Sequence, residues 1–232
     1  MVVIEKIKDM ELLKAYYLKN HMNELFSKKR IDDLELFKVN RLEYICFQEE
    51  DMTYLWFLVE GRAKVIKTLA NGKTLLLSFY EGFGVIGDVE LVQEASVNCT
   101  VQALTTCYVL ALPAQKARML LKEDVKLLNF ICTALAEKLE NISNSSSINL
   151  LYPLENRLAS YINMVAGESE YNVGRRCFNE NLTQLAEALG TSYRHLLRTL
   201  NGLCQLGVLG KEKEGYIIME EDKLEKLGNS LY

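Results

Sequence analysis

The sequence predicts an α+β protein with an N-terminal antiparallel, jelly-roll-like β-roll and flanking helices, a long dimerisation helix and a C-terminal winged helix-turn-helix. Short runs of β-branched and aromatic residues, interrupted by glycines, fill the region from about residue 41 to 113. A stretch without glycine or proline follows over 123–151, and two short amphipathic segments flank Gly190 near the C-terminus. We place the domain boundaries at 1–121, 122–151 and 152–232.

Composition and charge limit the classes of function that this chain can have. The 232 residues can form one large domain or two of ordinary size, and 49% of them are hydrophobic. The formal net charge of -4 argues against a protein coated with nucleic acid, although a small basic patch is compatible with an acidic average. The N-terminal residues alternate apolar and charged side chains, and no window reaches the roughly 18 apolar residues of a membrane span. We therefore expect a cytoplasmic protein with no membrane contact.

The cysteines are scattered, and none belongs to a C-x-x-C pair. They are Cys46, Cys99, Cys107, Cys132, Cys177 and Cys204. Ligands for zinc or for an iron–sulfur cluster usually come in close pairs, because a short turn must direct two thiolates to one metal. We therefore expect no metal site and no cofactor, and interpret the cysteines as small hydrophobic residues in a reducing compartment. The alternative is a redox-sensing thiol, for which Cys99 is the candidate.

The N-terminal half changes from a helical to a strand-like period. Apolar residues at helical spacing predict one or two helices between about 4 and 38: Ile4, Ile7, Leu12, Leu13, Tyr16, Leu25, Phe26, Leu34 and Phe37. From Arg41 onwards, glycine-punctuated runs predict six to eight strands in an antiparallel roll or barrel. Asn71-Gly72 lies between AKVIKTL and TLLLSFY. It predicts a hairpin with a two-residue loop, because both residues tolerate positive φ.

The stretch over 123–151 predicts one long helix. Leu128, Ile131, Leu135, Leu139 and Ile142 form an apolar stripe along it. A single exposed helix of this length is hard to stabilise alone, so its stripe needs a partner. We expect that partner to be the same helix of a second copy, and the alternative is packing against the chain's own strands.

The C-terminal third predicts a helix, a turn at Gly190 and a second helix. Asn181 and Gln184 form a capping-box pattern at the start of the first helix, and Thr191-Ser192 supplies a cap for the second. The second helix directs leucines inward at helical spacing, namely Leu196, Leu197, Leu200 and Leu203. Its outer face therefore carries Tyr193, Arg194 and Arg198. Arginine is the commonest reader of guanine in a major groove, so this helix is predicted to read DNA.

The local charge supports contact with an anionic partner. Between 172 and 213 the sequence has six basic residues (Arg175, Arg176, Arg194, Arg198, Lys211, Lys213) against three acids. The segment VLGKEKEGYIIM predicts a hairpin that forms a wing, with Lys211 and Lys213 near phosphates. The alternative is a helical hairpin whose charged face is simply solvated.

The order of these parts resembles the CRP/FNR superfamily of bacterial transcription regulators. The resemblance runs from about Arg41 to Met219, and its motifs are VEGRAKV, EGFGVIGDVEL, PLENRLA and LTQLAEALGTSYRHLLRTL. It implies a sensor domain over 1–121, a dimerisation helix over 122–151 and a DNA-binding domain over 152–232. It further implies a homodimer, a near-palindromic double-stranded DNA site, and RNA polymerase as a partner.

The resemblance also assigns roles to residues of the helix-turn-helix. Tyr193, Arg194 and Arg198 fall where the family reads bases, and many members have an arginine at the position of Arg198. Several well-known members have a glutamate at the position of Arg194, so the operator is expected to differ from theirs. Thr191, Ser192 and His195 complete the expected DNA contacts, with His195 beside the DNA backbone or packed.

On the ligand side, the sequence departs from the cyclic-nucleotide members of the family. The candidate effector pocket comprises Gly87, Asp88, Val89, Glu90, Asn98 and Cys99. The phosphate cassette of those members contains an arginine that binds the cyclic phosphate, whereas the corresponding stretch Val97-Asn98-Cys99 has no cation. A buried phosphate without a counter-charge is costly, so cyclic AMP is not expected to bind. The effector is unassigned: a small molecule in the roll, a thiol event, or none.

The sequence argues against an enzyme and leaves one other function open. Metal-dependent enzymes on β-rolls need converging histidines, and the sequence has none between positions 22 and 194. It also lacks the G-x-S-x-G and P-loop motifs, so no catalytic residue is assigned and an enzyme is not expected. The remaining alternative is a dimeric sensor or interaction protein whose helix-turn-helix no longer reads DNA. Salt dependence of binding distinguishes it from a DNA-binding protein.

Overall fold

The computed structural model describes residues 4–168, 174–213 and 215–228, with the side chains of all of these except 144–150. It forms two compact units, described separately below. The first comprises Met1–Lys67 and Phe79–Asn141, and the second Thr68–Ser78 and Ile142–Tyr232.

The elements up to the long helix follow in chain order. They are β1 (Glu5–Ile7), α1 (Met10–Lys19), β2 (Glu35–Val39), β3 (Tyr44–Cys46), β4 (Tyr54–Glu60), β5 (Arg62–Thr68), β6 (Thr74–Glu81), β7 (Gly84–Ile86), α2 (Asp88–Gln93), β8 (Thr100–Ala103), β9 (Cys107–Pro113), α3 (Ala114–Glu123) and α4 (Val125–Leu151). The later elements are α5 (Leu154–Val165), β10 (Gly167–Glu168), β11 (Arg176–Phe178), α6 (Leu182–Ala188), α7 (Tyr193–Gln205), β12 (Leu209–Glu212), β13 (Gly215–Ile218) and α8 (Glu221–Gly228).

The predicted β-roll is confirmed as two antiparallel sheets. One has the strand order β1-β2-β9-β4-β7, and the other has the order β3-β8-β5-β6. Strand β4 is buried on both faces because its side chains alternate. Trp56 and Leu58 face a cluster shared with β3 and β8, whereas Leu55 and Phe57 face the helices. The five-stranded sheet is therefore the central layer of this unit.

The expectation of helices over 4–38 is only partly correct. Helix α1 is present, but β1 and β2 form an antiparallel pair in which Ile7 lies opposite Leu36. Phe37, predicted to be helical, lies in β2 opposite Val109 of β9. Leu36 and Phe37 enter two different hydrophobic clusters, which is a period of two. A short apolar run is compatible with both the helical and the strand period, and this segment forms a strand because it pairs with β9.

The hairpin between β5 and β6 is present, but its predicted two-residue loop is wrong. The amide of Gly72 donates to the carbonyl of Leu69 at 2.9 Å, and the amide of Leu69 donates to the carbonyl of Lys73 at 2.8 Å. These bonds define a three-residue loop, and Gly72 adopts a φ of +79°. Only the last loop residue thus takes a left-handed conformation, as in a type I turn followed by a bulge.

Helix α4 packs against the first unit with one face. Leu127, Ile131 and Ala134 enter the cluster formed with α1, α3 and the five-stranded sheet. Ile131 therefore packs against the chain's own core, and the half-buried Leu135 packs against the same cluster, which was the alternative for the predicted stripe. By contrast, Leu128, Leu139 and Ile142 of that stripe are exposed. Among the described residues, no helix is long and apolar enough to cross a membrane.

The second unit contains the predicted winged helix-turn-helix. Helices α5, α6, α7 and α8 surround a sheet with the strand order β10-β11-β13-β12. Tyr161 of α5 packs edge-on against Phe178 of β11 in its core. The side chain of Leu224 in α8 is fully buried there. Helix α8 thus packs on α5, and α5 and β12 contact α7, the second helix of the candidate DNA-reading element.

Asp124 joins the start of α4 to the N-terminal segment. Its carboxylate accepts from the Ser27 hydroxyl at 2.7 Å, the Ser27 amide at 2.9 Å and the Lys126 amide at 3.1 Å. Burial by itself would raise the pKa of Asp124, but hydrogen bonds from Ser27, Leu127 and Lys126 lower it overall below its ordinary value of 3.8. The carboxylate therefore caps α4 as an anion.

We predict that Asp124→Ala lowers the free energy of unfolding by about 2–4 kcal/mol at pH 7, because it removes a helix cap and two bonds to Ser27. The folded-state pKa is depressed, so the stabilisation is complete above the unfolded-state value of about 4 and disappears as pH falls through the lower folded-state value. Denaturation followed by Trp56 fluorescence between pH 3 and 8 measures this. Asp51→Ala, at an exposed position, is the control. A difference between Asp124→Ala and the wild type that stays constant with pH would contradict the assignment.

Candidate functional site

The turn between α6 and α7 is built from paired caps. The Asn181 side chain accepts from the amides of Thr183 at 3.0 Å and Gln184 at 3.2 Å, as the sequence pattern predicts. Gly190 follows α6 with a φ of +61°, and the amide of Thr191 donates to the carbonyl of Ala186 at 2.8 Å. This is a Schellman ending, in which a glycine avoids the cost of a left-handed residue.

Helix α7 then begins at the predicted cap. The Ser192 hydroxyl accepts from the His195 amide at 3.2 Å. The His195 ring is exposed, and its Nδ1 lies 3.3 Å from the Thr191 hydroxyl oxygen. The two caps therefore fix the direction in which α7 leaves the turn.

Arg157 of α5 binds backbone carbonyl groups at this turn. Its guanidinium donates to the carbonyl of Leu189 at 2.6 Å and to that of Tyr152 at 3.3 Å. A cation at the C-terminal end of α6 satisfies a carbonyl that has no partner within the helix and interacts favourably with the helix dipole. The sequence analysis used PLENRLA only as a helix start, so this role of Arg157 was missed. The helical period places Arg157 beside buried Leu158, but it does not show which carbonyl the side chain reaches.

The outer face of α7 forms an open, shallow depression. It is lined by Tyr193, Arg194, Leu197, Arg198, Asn201, Gly202 and Gln205. On the opposite side Leu196, Leu200 and Leu203 are fully buried, as predicted. Among the described residues, no salt bridge engages Arg194 or Arg198. Their donors are therefore available to a partner.

Three residues of this face differ from the sequence prediction. Leu197 was predicted to point inward but is only half-buried and lines the depression. Asn201 and Gln205 were not assigned to the site, although Asn201 follows Arg198 by three residues and Gln205 follows Asn201 by four, which keeps both on the same face. Their amides are the groups that bind adenine in a major groove. The same helical spacing, extended beyond Arg198, would have identified them.

The predicted wing is a hairpin of β12 and β13. Lys211 lies opposite Tyr216 in the register, and the side chains of Lys211 and Lys213 are exposed. Two other members of the predicted basic patch are engaged elsewhere. Arg176 pairs with Glu221 at 3.1 Å and donates to the Asn163 carbonyl at 3.2 Å, so it has a structural role. The Arg175 guanidinium contacts the Met219 sulfur at 2.9 Å.

The candidate effector pocket in the first unit is occupied by the protein's own groups. Asp88, only 1% exposed, forms a salt bridge with Lys138 of α4. The Lys138 ammonium also donates to the Val85 carbonyl at 2.8 Å and lies 5.5 Å from the centre of the Tyr80 ring. The cation missing from the stretch Val97-Asn98-Cys99 thus comes from a residue 50 positions beyond Asp88. Sequence analysis missed it, although Lys138 continues the buried spacing of Leu127, Ile131 and Ala134.

The surroundings of Lys138 favour its charged form. Burial alone would lower the pKa of Lys138, but Tyr80 and Asp88 raise it overall. Burial raises the pKa of Tyr80 despite the opposing charge of Lys138. The second carboxylate oxygen of Asp88, Oδ2, is buried without a hydrogen-bond partner among the described residues. The arrangement is therefore a charged internal contact with one acceptor unused.

The remaining pocket residues are also paired within the chain. The Glu90 carboxylate accepts from the Asn98 amide at 2.7 Å, and the Lys67 ammonium donates to the Asn98 carbonyl at 3.0 Å. The Val89 side chain is half-buried, and Gly87 precedes α2. The acidic groups of the candidate effector pocket therefore already have partners within the chain.

The two cysteines beside this pocket are poor nucleophiles. Burial raises the pKa of Cys99, and it raises the pKa of Cys46 to about 12. The Cys46 sulfur lies 3.7 Å from the Cys99 carbonyl oxygen. Because a thiolate is the reactive form, both environments disfavour thiol chemistry. Within 4–168, 174–213 and 215–228, no group of three or more potential ligands could hold a metal ion.

Comparison with known proteins identifies relatives. Residues 36–124 match the family model of the cyclic nucleotide-binding domain. The chain is 36% identical over 197 residues to the regulatory protein YeiL of Escherichia coli O157:H7, covering 84% of this chain and 86% of that protein. It is 25% identical over 122 residues to the cAMP-activated global transcriptional regulator CRP of Haemophilus influenzae, covering 52% and 54% of the two chains.

A solved structure shares the fold. It is a protein of Eubacterium rectale described as a transcriptional regulator of the CRP/FNR family, with a TM-score of 0.71 and 17% identity. The alignment covers 90% of this chain and 94% of that one. These relatives are transcription regulators rather than enzymes, in agreement with the sequence analysis.

We predict that Lys138→Met and Asp88→Asn each lower the free energy of unfolding by about 2–4 kcal/mol, because each leaves its buried partner uncompensated. The lysine side chain is 27% exposed, which places the loss below that of a fully enclosed pair. The double variant should lose at least about 1 kcal/mol less than the sum of the two single variants. Denaturation followed by Trp56 fluorescence measures the cycle. Additive losses would show that the pair contributes no coupling.

Proposed function

Because this chain belongs to the CRP/FNR family of transcriptional regulators, we propose that it is a homodimeric, sequence-specific DNA-binding regulator of transcription. Its two α7 helices enter successive major grooves of a near-palindromic double-stranded site, one helical turn apart. The roll of residues 1–121 is the sensor domain, 122–151 the dimerisation helix, and 152–232 the DNA-binding domain. The protein acts in the cytoplasm, and the family suggests RNA polymerase as a further partner.

The observation that carries this proposal is the outer face of α7. Tyr193 is 49% exposed there, beside the exposed Arg194 and Arg198, while leucines occupy the opposite face. Arg194 and Arg198 are placed to bind guanine O6 and N7 through bidentate bonds. The hydroxyls of Thr191 and Ser192 and the His195 ring lie at the helix start, where phosphates bind favourably. Lys211 and Lys213 extend the phosphate contacts along the wing.

The dimer is supported by an apolar seam on α4, defined here as Val125, Leu128, Cys132, Leu135, Leu139 and Ile142. The spacing alternates between three and four residues, which is the repeat of a coiled coil. Val125 is 66% exposed and Leu139 is 70% exposed, although both are apolar. Leu127, Ile131 and Ala134 already occupy the face toward the roll. A second copy of α4 is the partner that this repeat suits.

We assign no effector, and cyclic AMP is not the expected one. A cyclic phosphate needs a cation, and the only cation paired with Asp88 in the described residues is Lys138, whose charge is already compensated. Glu90 is buried and accepts from the Asn98 amide, and the Lys67 ammonium donates to the Asn98 carbonyl. A phosphate bound by Lys138 would therefore break the pair of Lys138 with Asp88. The name of the Haemophilus relative describes the activation of that protein by cAMP and does not transfer to this cassette.

We predict that Arg198→Ala abolishes sequence-specific DNA binding and leaves the dimer and its stability unchanged. Selection of bound fragments from random genomic DNA by the purified wild type should enrich an inverted repeat. The variant should bind each half-site roughly 5- to 150-fold more weakly, because a bidentate contact contributes about 1–3 kcal/mol. Arg41→Ala, an exposed arginine outside the helix-turn-helix, is the matched control.

The salt dependence of the same binding tests the rival function. Phosphate contacts from several cations make affinity fall steeply with salt, whereas an apolar protein contact changes little. If the wild type enriches no sequence at any salt concentration, the interaction protein of the rival reading is the better description. A loss of folding stability in Arg198→Ala would instead show that this side chain is structural.

We predict that Leu139→Glu converts the dimer to a monomer, because it places two carboxylates opposite each other in the apolar seam. The dissociation constant should rise by roughly 100-fold or more. Sedimentation equilibrium over a concentration series measures this. Thr133→Glu, which is exposed on α4 outside the seam, is the control and should stay dimeric. Equal behaviour of the two variants would rule out the seam as the dimer interface.

A further inference from the structure

We propose that Leu197 is a specificity-determining residue that contacts the methyl group of a thymine beside the guanine bound by an arginine of α7. This inference rests on the proposed function, because it assigns a base to the DNA-reading face. It concerns a side chain that the sequence pattern places in the core and that the structure places on the edge of that face.

The geometry of α7 separates its outer face into two parallel rows. Residues four apart lie in one row along a helix. Tyr193, Leu197 and Asn201 form the first row, and Arg194, Arg198 and Gly202 form the second. All six line the same depression. Leu197 thus lies beside both arginines, with Tyr193 one turn before it.

The hydrophobic packing of α7 does not account for the exposure of Leu197. Leu196, Leu200 and Leu203 are fully buried and form the face toward the core. Leu197 is rotated away from them and stays half-buried. A leucine in this position presents apolar surface within a row of hydrogen-bond donors. Such surface finds a complement in the major groove only at the thymine C5-methyl group, since the other base edges there are polar.

The arginine row sets the place of that thymine. When Arg194 or Arg198 binds guanine O6 and N7, the neighbouring row lies over an adjacent base step. Gly202 removes a side chain from the arginine row, and a Cβ there would meet no atom of the described residues within 4 Å. The third turn of α7 can therefore approach the DNA closely. Leu197 lies in the preceding turn, and among the residues that line the depression it alone has an aliphatic side chain.

The test uses the operator obtained by selection with the full-length protein. Each thymine of the half-site is replaced in turn by deoxyuridine, symmetrically in both halves, which removes only the C5-methyl group. For the wild type, one position next to a guanine should lose about 4-fold in affinity per half-site, the value expected for one buried methyl group. For Leu197→Ala, the same replacement should change affinity by less than about 2-fold.

Two further variants separate base reading from a structural role. Leu197→Met keeps an apolar side chain of similar volume and should retain the sensitivity to the missing methyl group. Leu206→Ala removes a leucine at the end of α7, outside the depression, and should behave as the wild type at every position. A structural Leu197 would lower stability and affinity for thymine and deoxyuridine operators by the same factor.

The outcomes are distinct. Methyl sensitivity at one position that disappears in Leu197→Ala and persists in Leu197→Met supports the proposal. Insensitivity of the wild type at every thymine, or the same sensitivity in Leu197→Ala, overturns it while DNA reading by the arginines stands. If the wild type enriches no sequence, the proposed function itself fails, and the assignment of Leu197 fails with it.

Discussion

The buried salt bridge between Asp88 and Lys138 is the contact on which the arrangement of the first unit depends. A carboxylate that is 1% exposed must have a counter-charge, and here the charge comes from the last inward-facing position of α4 in the series 127, 131, 134 and 138. Together with the buried Leu127, Ile131 and Ala134, this pair faces the roll and fixes the rotation of the long helix. Because that face is turned inward, most of the apolar seam, including Val125 and Leu139, is exposed. The inward face thus leaves outside the surface that suits a second copy of the chain.

In the second unit, the groups that need partners are backbone amides and carbonyls. The turn between α6 and α7 leaves amides and carbonyls without helical partners, and Asn181, Ser192 and Arg157 satisfy them. Three fully buried leucines then hold α7 so that its arginines lie outside. The reading face is rigid because its support consists of caps and core packing rather than of salt bridges to the arginines. The charges of Arg194 and Arg198 therefore remain available to the DNA partner proposed above.

The contacts within the candidate effector pocket explain why a match to the cyclic nucleotide-binding domain does not by itself identify a ligand. The matched residues 36–124 share the strands and turns of that domain, which depend on apolar alternation and glycine positions. Ligand binding depends on a few individual side chains, and these have formed partnerships within the chain. Glu90 binds the Asn98 amide, and Lys138 reaches Asp88 from outside the matched segment. The match therefore identifies the fold of residues 36–124 and leaves the ligand unassigned.

The sequence by itself determined the order of roll, long helix and winged helix-turn-helix, and it identified Arg194 and Arg198 on one face, because periodicity and caps are local properties. It misplaced Phe37, whose strand is chosen by pairing with β9, and Leu197, whose exposure depends on how α7 is rotated against its neighbours. It also counted Arg176 in the basic patch, although Glu221 lies 3.1 Å away and compensates its charge. Only the tertiary structure decided these points and the partner of Asp88. They depend on contacts between residues far apart in the chain, which no local pattern records.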